Sequence, residues 1–205
     1  MPEPLSSLWR VFPFDPAAQS GEMFSASRAP ANQGAGRFDI PHLTPVWYFG
    51  ESPAHAVAEV MQGLRNQLLD EADLIRSRKP LALVQAELKA PAVGNHVHGI
   101  ADLCDPHVLS EFEIRPDVLA SSDVRATQRI AEKLYKERLR GFRWWSSLFG
   151  DWHTTIVFDP RLGRGQLQFL EPEPLMLTSK AVVEAASRLS IKLPGDRIRR
   201  ASPRR

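Results

Sequence analysis

The chain has 205 residues, 43% hydrophobic and 24% charged, which excludes a disordered segment and suits one folded domain with a sizeable core. No apolar run approaches the roughly 20 residues of a membrane helix, and "MPEPLSSLWRVF" lacks a basic segment followed by an apolar one, so a cytoplasmic protein without membrane attachment is expected. The net charge of +2 comes from the end of the chain, where "RIRRASPRR" carries five arginines and no acid, leaving the body at −3 without them. Direct binding to nucleic acid is therefore not expected; residues 1–195 read as the domain and 196–205 as a basic, disordered tail.

In chain order, "LWRVF" (8–12) reads as a first short strand. Residues 13–45, rich in Pro, Gly, Ala and Ser, form a long irregular segment of the kind that often carries function. "VWYFG" (46–50) reads as a buried strand. "SPAHAVAEVMQGLRNQLL" (52–69) reads as a helix, with Ser52 as its cap and Pro53 at its first position. "LALVQAELK" (81–89) is a clear strand and "VHGIADL" (97–103) a further one. A second helix, "DVRATQRIAEKLYKERLR" (123–140), is expected to stop at Gly141. "GFRWWSSL" (141–148), "HTTIVFD" (153–159) and "GQLQFLE" (165–171) read as strands rich in aromatic and β-branched residues, and "SKAVVEAASRLS" (179–190) as a last helix. Strands clustered late in the chain argue for an α+β fold with mostly antiparallel sheets and flanking helices, not for alternating βα units.

Several chemistries lack their motifs. There is no GxGxxG, no P-loop lysine and no GxSxG elbow. "HVH" at 96–98 would put two imidazoles on one strand face, but neither HExxH nor CxxC supplies further ligands, and no metal is expected. Cys104 cannot form an internal disulfide and reads as a small buried apolar residue. On the helix from Ser52, ~100° per residue places Val57, Val60, Met61, Leu64 and Leu68 in one apolar stripe. Glu59 then falls roughly opposite, beside His55 and Asn66, where periodicity alone reads it as a solvated glutamate.

Taken together, four segments resemble the RES domain family, over roughly residues 8–190. "LWRVF" resembles the opening segment with the family's first arginine, here Arg10. "GAGRFD" resembles its Gly-Arg-aromatic-Asn/Asp motif, here Arg37, with Phe38-Asp39 where many members have Trp-Asn. "VWYFGESPAHAVAEV" resembles the strand and helix with its tyrosine and glutamate, here Tyr48 and Glu59. "GFRWWSSLFGDWHTTIVF" resembles the segment with its serine, matched to Ser146 five residues after Gly141, with Ser147 as the alternative.

The resemblance implies an ADP-ribosyltransferase-like fold and the toxin of a bacterial toxin–antitoxin system. It implies NAD⁺ as substrate, with loss of nicotinamide by phosphorolysis or hydrolysis and phosphate as a co-substrate in the first case. The implied partner is a helix-turn-helix (Xre-type) antitoxin, in a hetero-oligomer or alongside a homo-oligomer. Glu59 would stabilise positive charge at the anomeric carbon. Arg10 and Arg37 would hold the diphosphate as bidentate forks. Tyr48 would face the nicotinamide ring, and Ser146 would hold a ribose hydroxyl or the incoming phosphate. Two alternatives stand beside this: protein mono-ADP-ribosylation at the same site, and a non-catalytic module that binds a nucleotide or partner.

Overall fold

The structure is a computed structural model that describes residues 5–30 and 33–194; the arginine-rich tail lies outside the described residues. Strands β1 (Leu5–Pro13), β2 (Val46–Gly50), β3 (Ile75–Arg76), β4 (Lys79–Leu88), β5 (Ile100–Asp102), β6 (Gly141–Trp145), β7 (His153–Phe158), β8 (Leu167–Phe169) and β9 (Glu173–Pro174) join in one sheet among the described residues. Its order is β3-β4-β1-β2-β7-β6-β5, with β8 and β9 pairing along β4. Every pairing is antiparallel except β5 with β6. The fold is therefore α+β with a mixed, mostly antiparallel sheet and flanking helices.

One joint in this sheet matters most. β1 pairs with β4 from Leu5–Leu88 to Pro13–Leu81, and β2 pairs with β7 along its whole length. β1 and β2 meet only at Trp9–Gly50. The sheet is thus two well-paired halves joined at one register point. On one half, helices α1 (Pro53–Met61) and α5 (Lys180–Leu189) pack over Leu81 and Leu83 of β4. On the other, α2 (Pro106–Glu111), α3 (Pro116–Ala120) and α4 (Val124–Lys136) share a core with Phe38, Phe142, Ile156 and Phe158.

The expected helix over 52–69 starts where read, with the Ser52 hydroxyl accepting the His55 N–H at 3.2 Å and Pro53 in the first turn. It ends early, at Met61, continuing as a 3₁₀ turn over Gln62–Leu64. Gly63 weakens helix by ~1 kcal/mol, and Asn66 takes φ 63°, a left-handed conformation that asparagine tolerates better than most residues. Leu68, assigned to the apolar stripe, lies beyond the helix and is exposed. The other side of α1 is also not a solvated face: Ala54, His55, Ala56 and Ala58 are buried along with Val57 and Met61. The turn after β6 covers it, stacking Trp152 on His55.

α4 also ends before its expected limit, at Lys136, and Arg138 rather than a glycine takes the left-handed position at φ 63°. Gly141 serves β6 instead. A Cβ there would stand 2.0 Å from the Ile156 carbonyl oxygen on β7, so only glycine permits that approach. The expected strand over 97–103 begins only at Ile100, because Val97–Gly99 is a 3₁₀ turn with His98 at φ 57°. The two imidazoles of "HVH" accordingly do not share a strand face: His96 packs on Phe112, and His98 Nδ1 bonds the Ala90 carbonyl. α2 and α3, not anticipated, span 6 and 5 residues, too short to register as a 3.6-residue period. Their signal is a proline in the first turn, Pro106 and Pro116.

Candidate active site

A cavity of about 680 Å³ opens where β1 and β2 separate. Trp9, Arg10 and Val11 of β1 form one wall, and Tyr48, Phe49 and Gly50 of β2 the other. Glu59 and Val60 of α1, the loop 35–38, Trp144, Arg76 and Ser147 close it. Four of the five residues singled out from the sequence line this space, and the fifth, Ser146, is bonded to one of them.

Glu59 carries that bond. Its Oε1 accepts the Ser146 hydroxyl at 3.0 Å and lies 3.1 Å from His55 Nε2. Its side chain is 33% exposed, which fits a residue on a cavity wall rather than on an open surface. Ser146 is buried, and its Oγ also accepts the Leu148 N–H at 3.1 Å, so the hydroxyl proton is free to point at the carboxylate. Ser147 is exposed and faces the cavity. Just past the end of β6 the two serines part, with Ser146 on Glu59 and Ser147 at the cavity wall.

Arg37 sits on a loop that is fastened from every side. Asp39, buried, accepts the N–H groups of Gly34 at 2.8 Å and Gly36 at 2.7 Å on Oδ2, and the Tyr48 hydroxyl at 2.8 Å on Oδ1. A Cβ at Gly36 would stand 2.7 Å from those carboxylate oxygens, so glycine is what lets the clamp close. Phe38 anchors the loop edge-on against Phe142 and Trp144, both at 5.0 Å. From α4, Gln128 donates to the carbonyls of Gly34 and Gly36, and Thr127 to that of Arg37. The Arg37 guanidinium lies 4.4 Å over the Trp144 ring and donates to the Leu119 carbonyl at 2.6 Å; its Nε is buried without a partner among the described residues. Burial lowers its pKa, partly offset by Tyr48.

Arg10 borders the cavity with its guanidinium turned toward Trp47 and the 13–45 segment. It stacks 4.7 Å over Trp47 and donates to the Ala26 carbonyl at 3.1 Å, pinning the long 13–45 segment against the sheet. Burial lowers its pKa to about 10, which leaves it charged at neutral pH. Tyr48 moves the opposite way: burial first, then the Asp39 carboxylate, hold its phenol protonated far into the alkaline range. The tyrosine thus stays a donor to Asp39 and also accepts the Phe38 N–H at 3.1 Å.

Asp39, His55, Thr127, Gln128 and Arg76 all serve this site and were not singled out from the sequence. Asp39 and His55 lie within quoted motifs, but nothing in a linear reading distinguishes their buried contacts. Arg76, exposed on the cavity rim, comes from a hairpin too short to be read as a strand. Among the described residues, no group of three or more His, Cys, Asp or Glu side chains could hold a metal ion, and no helix is long and apolar enough to cross a membrane.

Residues 7–177 match the family model described as the RES domain. The fold is similar to that of a chain in the crystal structure of the M. tuberculosis MbcT–MbcA toxin–antitoxin complex, with a TM-score of 0.59, 18% identity and 90% of each chain covered. No curated protein sequence matches the chain significantly.

Proposed function

The chain belongs to the RES domain family, and we propose that it is the NAD⁺-degrading toxin of a toxin–antitoxin pair, cleaving the bond between nicotinamide and ribose. The observation that carries this reading is the setting of Glu59. One carboxylate, gripped by a serine and a histidine, lines a cavity whose walls also include Arg37, Arg76 and the rings of Trp9, Tyr48 and Trp144. Such a cavity suits a flat cationic ring, a ribose and a diphosphate, and 680 Å³ lies within the range of small-molecule sites.

In this reading the C1′–N bond breaks with its electron pair leaving on nicotinamide, which neutralises the pyridinium, so no general acid is required. Positive charge then develops on the ribose ring beside Glu59, where a fixed carboxylate stabilises it. Ser146 holds that carboxylate from behind the cavity wall, and its own contact with a ribose hydroxyl or an incoming phosphate would require the hydroxyl to turn from Glu59. Arg37, with its unpartnered Nε, supplies charge for the diphosphate. Arg10 supports the same wall while holding the long loop. Tyr48 offers its ring to nicotinamide, its hydroxyl being taken by Asp39. An oxygen of phosphate or water completes the bond to C1′, water also losing a proton.

The likeness to a chain of a toxin–antitoxin complex supports a partner that neutralises this activity, expected to be a helix-turn-helix protein. The deciding experiment is nicotinamide release from NAD⁺ by the purified chain, with and without phosphate. Release that rises with phosphate identifies phosphorolysis, and release indifferent to it identifies hydrolysis. Label retained on protein identifies ADP-ribosylation, and NAD⁺ binding without release identifies a non-catalytic module.

A further inference from the structure

We infer that His55 is a positioning residue that locks the Glu59 carboxylate in its working orientation; this rests on the reading of Glu59 as the group that meets the ribose. His55 is fully buried, one helical turn before Glu59 on α1. A buried imidazole needs a partner at each nitrogen. Nδ1 faces the Glu51 N–H at 3.3 Å and must accept from it. The ring proton therefore sits on Nε2, 3.1 Å from Glu59 Oε1, and is donated to it. The backbone at the start of α1 thus selects the tautomer that can hold the glutamate.

The ring cannot turn away from this arrangement. Trp152 stacks on it at 4.8 Å with 30° between the planes. The Trp152 carbonyl also accepts the Ser146 N–H at 2.7 Å. Ser146 in turn donates its hydroxyl to the same Oε1 at 3.0 Å. One glutamate oxygen is gripped by two donors, and both donors are registered on Trp152. A glutamate has three rotatable side-chain bonds, and fixing them before the substrate arrives presets the carboxylate at the wall of the cavity it lines.

The test compares His55→Phe and His55→Gln with the wild type for kcat, KM, thermal midpoint and crystal structure. Phe keeps an aromatic ring against Trp152 and removes the donor; Gln keeps an N–H within reach of Glu59. The expected result is a fall in kcat of roughly 10- to 100-fold for His55→Phe, with KM within about twofold, and recovery of most of the loss by His55→Gln. Equal activity of all three, or equal losses in both variants that track the thermal midpoint, overturns the inference. A wild type that releases no nicotinamide overturns the NAD⁺ reading instead. In that case the crystal structures decide: Glu59 swinging from its place in His55→Phe sustains the positioning role, and Glu59 unmoved overturns it.

Discussion

Tyr48 donates its phenol to Asp39 at 2.8 Å, so the tyrosine matched to a ligand-facing role is also the latch on the Arg37 loop. Asp39 accepts three hydrogen bonds in all, from Tyr48, Gly34 and Gly36. An ionised carboxylate accepts at both oxygens, whereas the amide of asparagine accepts at one. The Phe38-Asp39 pair thus replaces Trp-Asn without opening the loop, Phe38 still seating its ring in the core.

This latch has a pH signature. Tyr48 is held protonated in the folded state well above the unfolded phenol value of about 10. Above that pH the unfolded chain releases a proton that the folded chain retains, so folding stability is full below pH ~10 and falls as pH rises further. Tyr48→Phe should lower stability at neutral pH by about 1–3 kcal/mol through loss of a charged hydrogen bond, and should flatten the alkaline decline. Thermal midpoints of both proteins from pH 8 to 11 check this; parallel curves would remove the latch.

Glu59→Gln keeps the shape of the side chain and removes its charge. In the proposed chemistry the loss falls on the transition state, so kcat should drop roughly 10²- to 10³-fold with KM little changed. Ser146 and His55 can still donate to the amide oxygen, so the thermal midpoint should stay close to that of the wild type. Expression of this variant should permit growth under conditions in which the wild type arrests it. Full nicotinamide release by Glu59→Gln would take the residue out of the mechanism.

The legibility of this molecule divides along range in the chain. Strands β2, β4, β6 and β7 could be read because alternation and β-branched residues are local properties, and the Ser52-Pro53 helix start is equally local. The helix ends were misread because neither has a glycine stop: α1 tightens into a 3₁₀ turn at Gln62, and α4 turns at Arg138, a left-handed non-glycine. Glu59 shows the same division. Periodicity gave its direction relative to the apolar stripe, but not what covers that side. Ser146 is 87 residues away in the chain and Trp152 sits in the turn that follows. The alanines at 54, 56 and 58 were the available hint, since small residues on several sides of a helix let neighbours approach on all of them. The split between β1 and β2, which makes the cavity, has no local signal because it is a property of pairing.

Arg76 gives the last prediction. It ends β3, next to a two-residue turn in which Ser77 and Arg78 both take left-handed φ angles, 54° and 61°. Such a turn matches the twist of paired strands and holds the hairpin rigid. Arg76 lines the cavity while remaining exposed, and its guanidinium has no bonding partner among the described residues, unlike Arg10 and Arg37. It is therefore a cation available to a substrate diphosphate without breaking a contact first. Arg76→Ala should raise KM for NAD⁺ about fivefold, equivalent to about 1 kcal/mol, with kcat unchanged. Nicotinamide riboside lacks the diphosphate, so wild type and variant should cleave it equally well. An unchanged KM for NAD⁺ would leave Arg76 as a surface residue, and an equal loss on both substrates would place its effect on the fold rather than on phosphate.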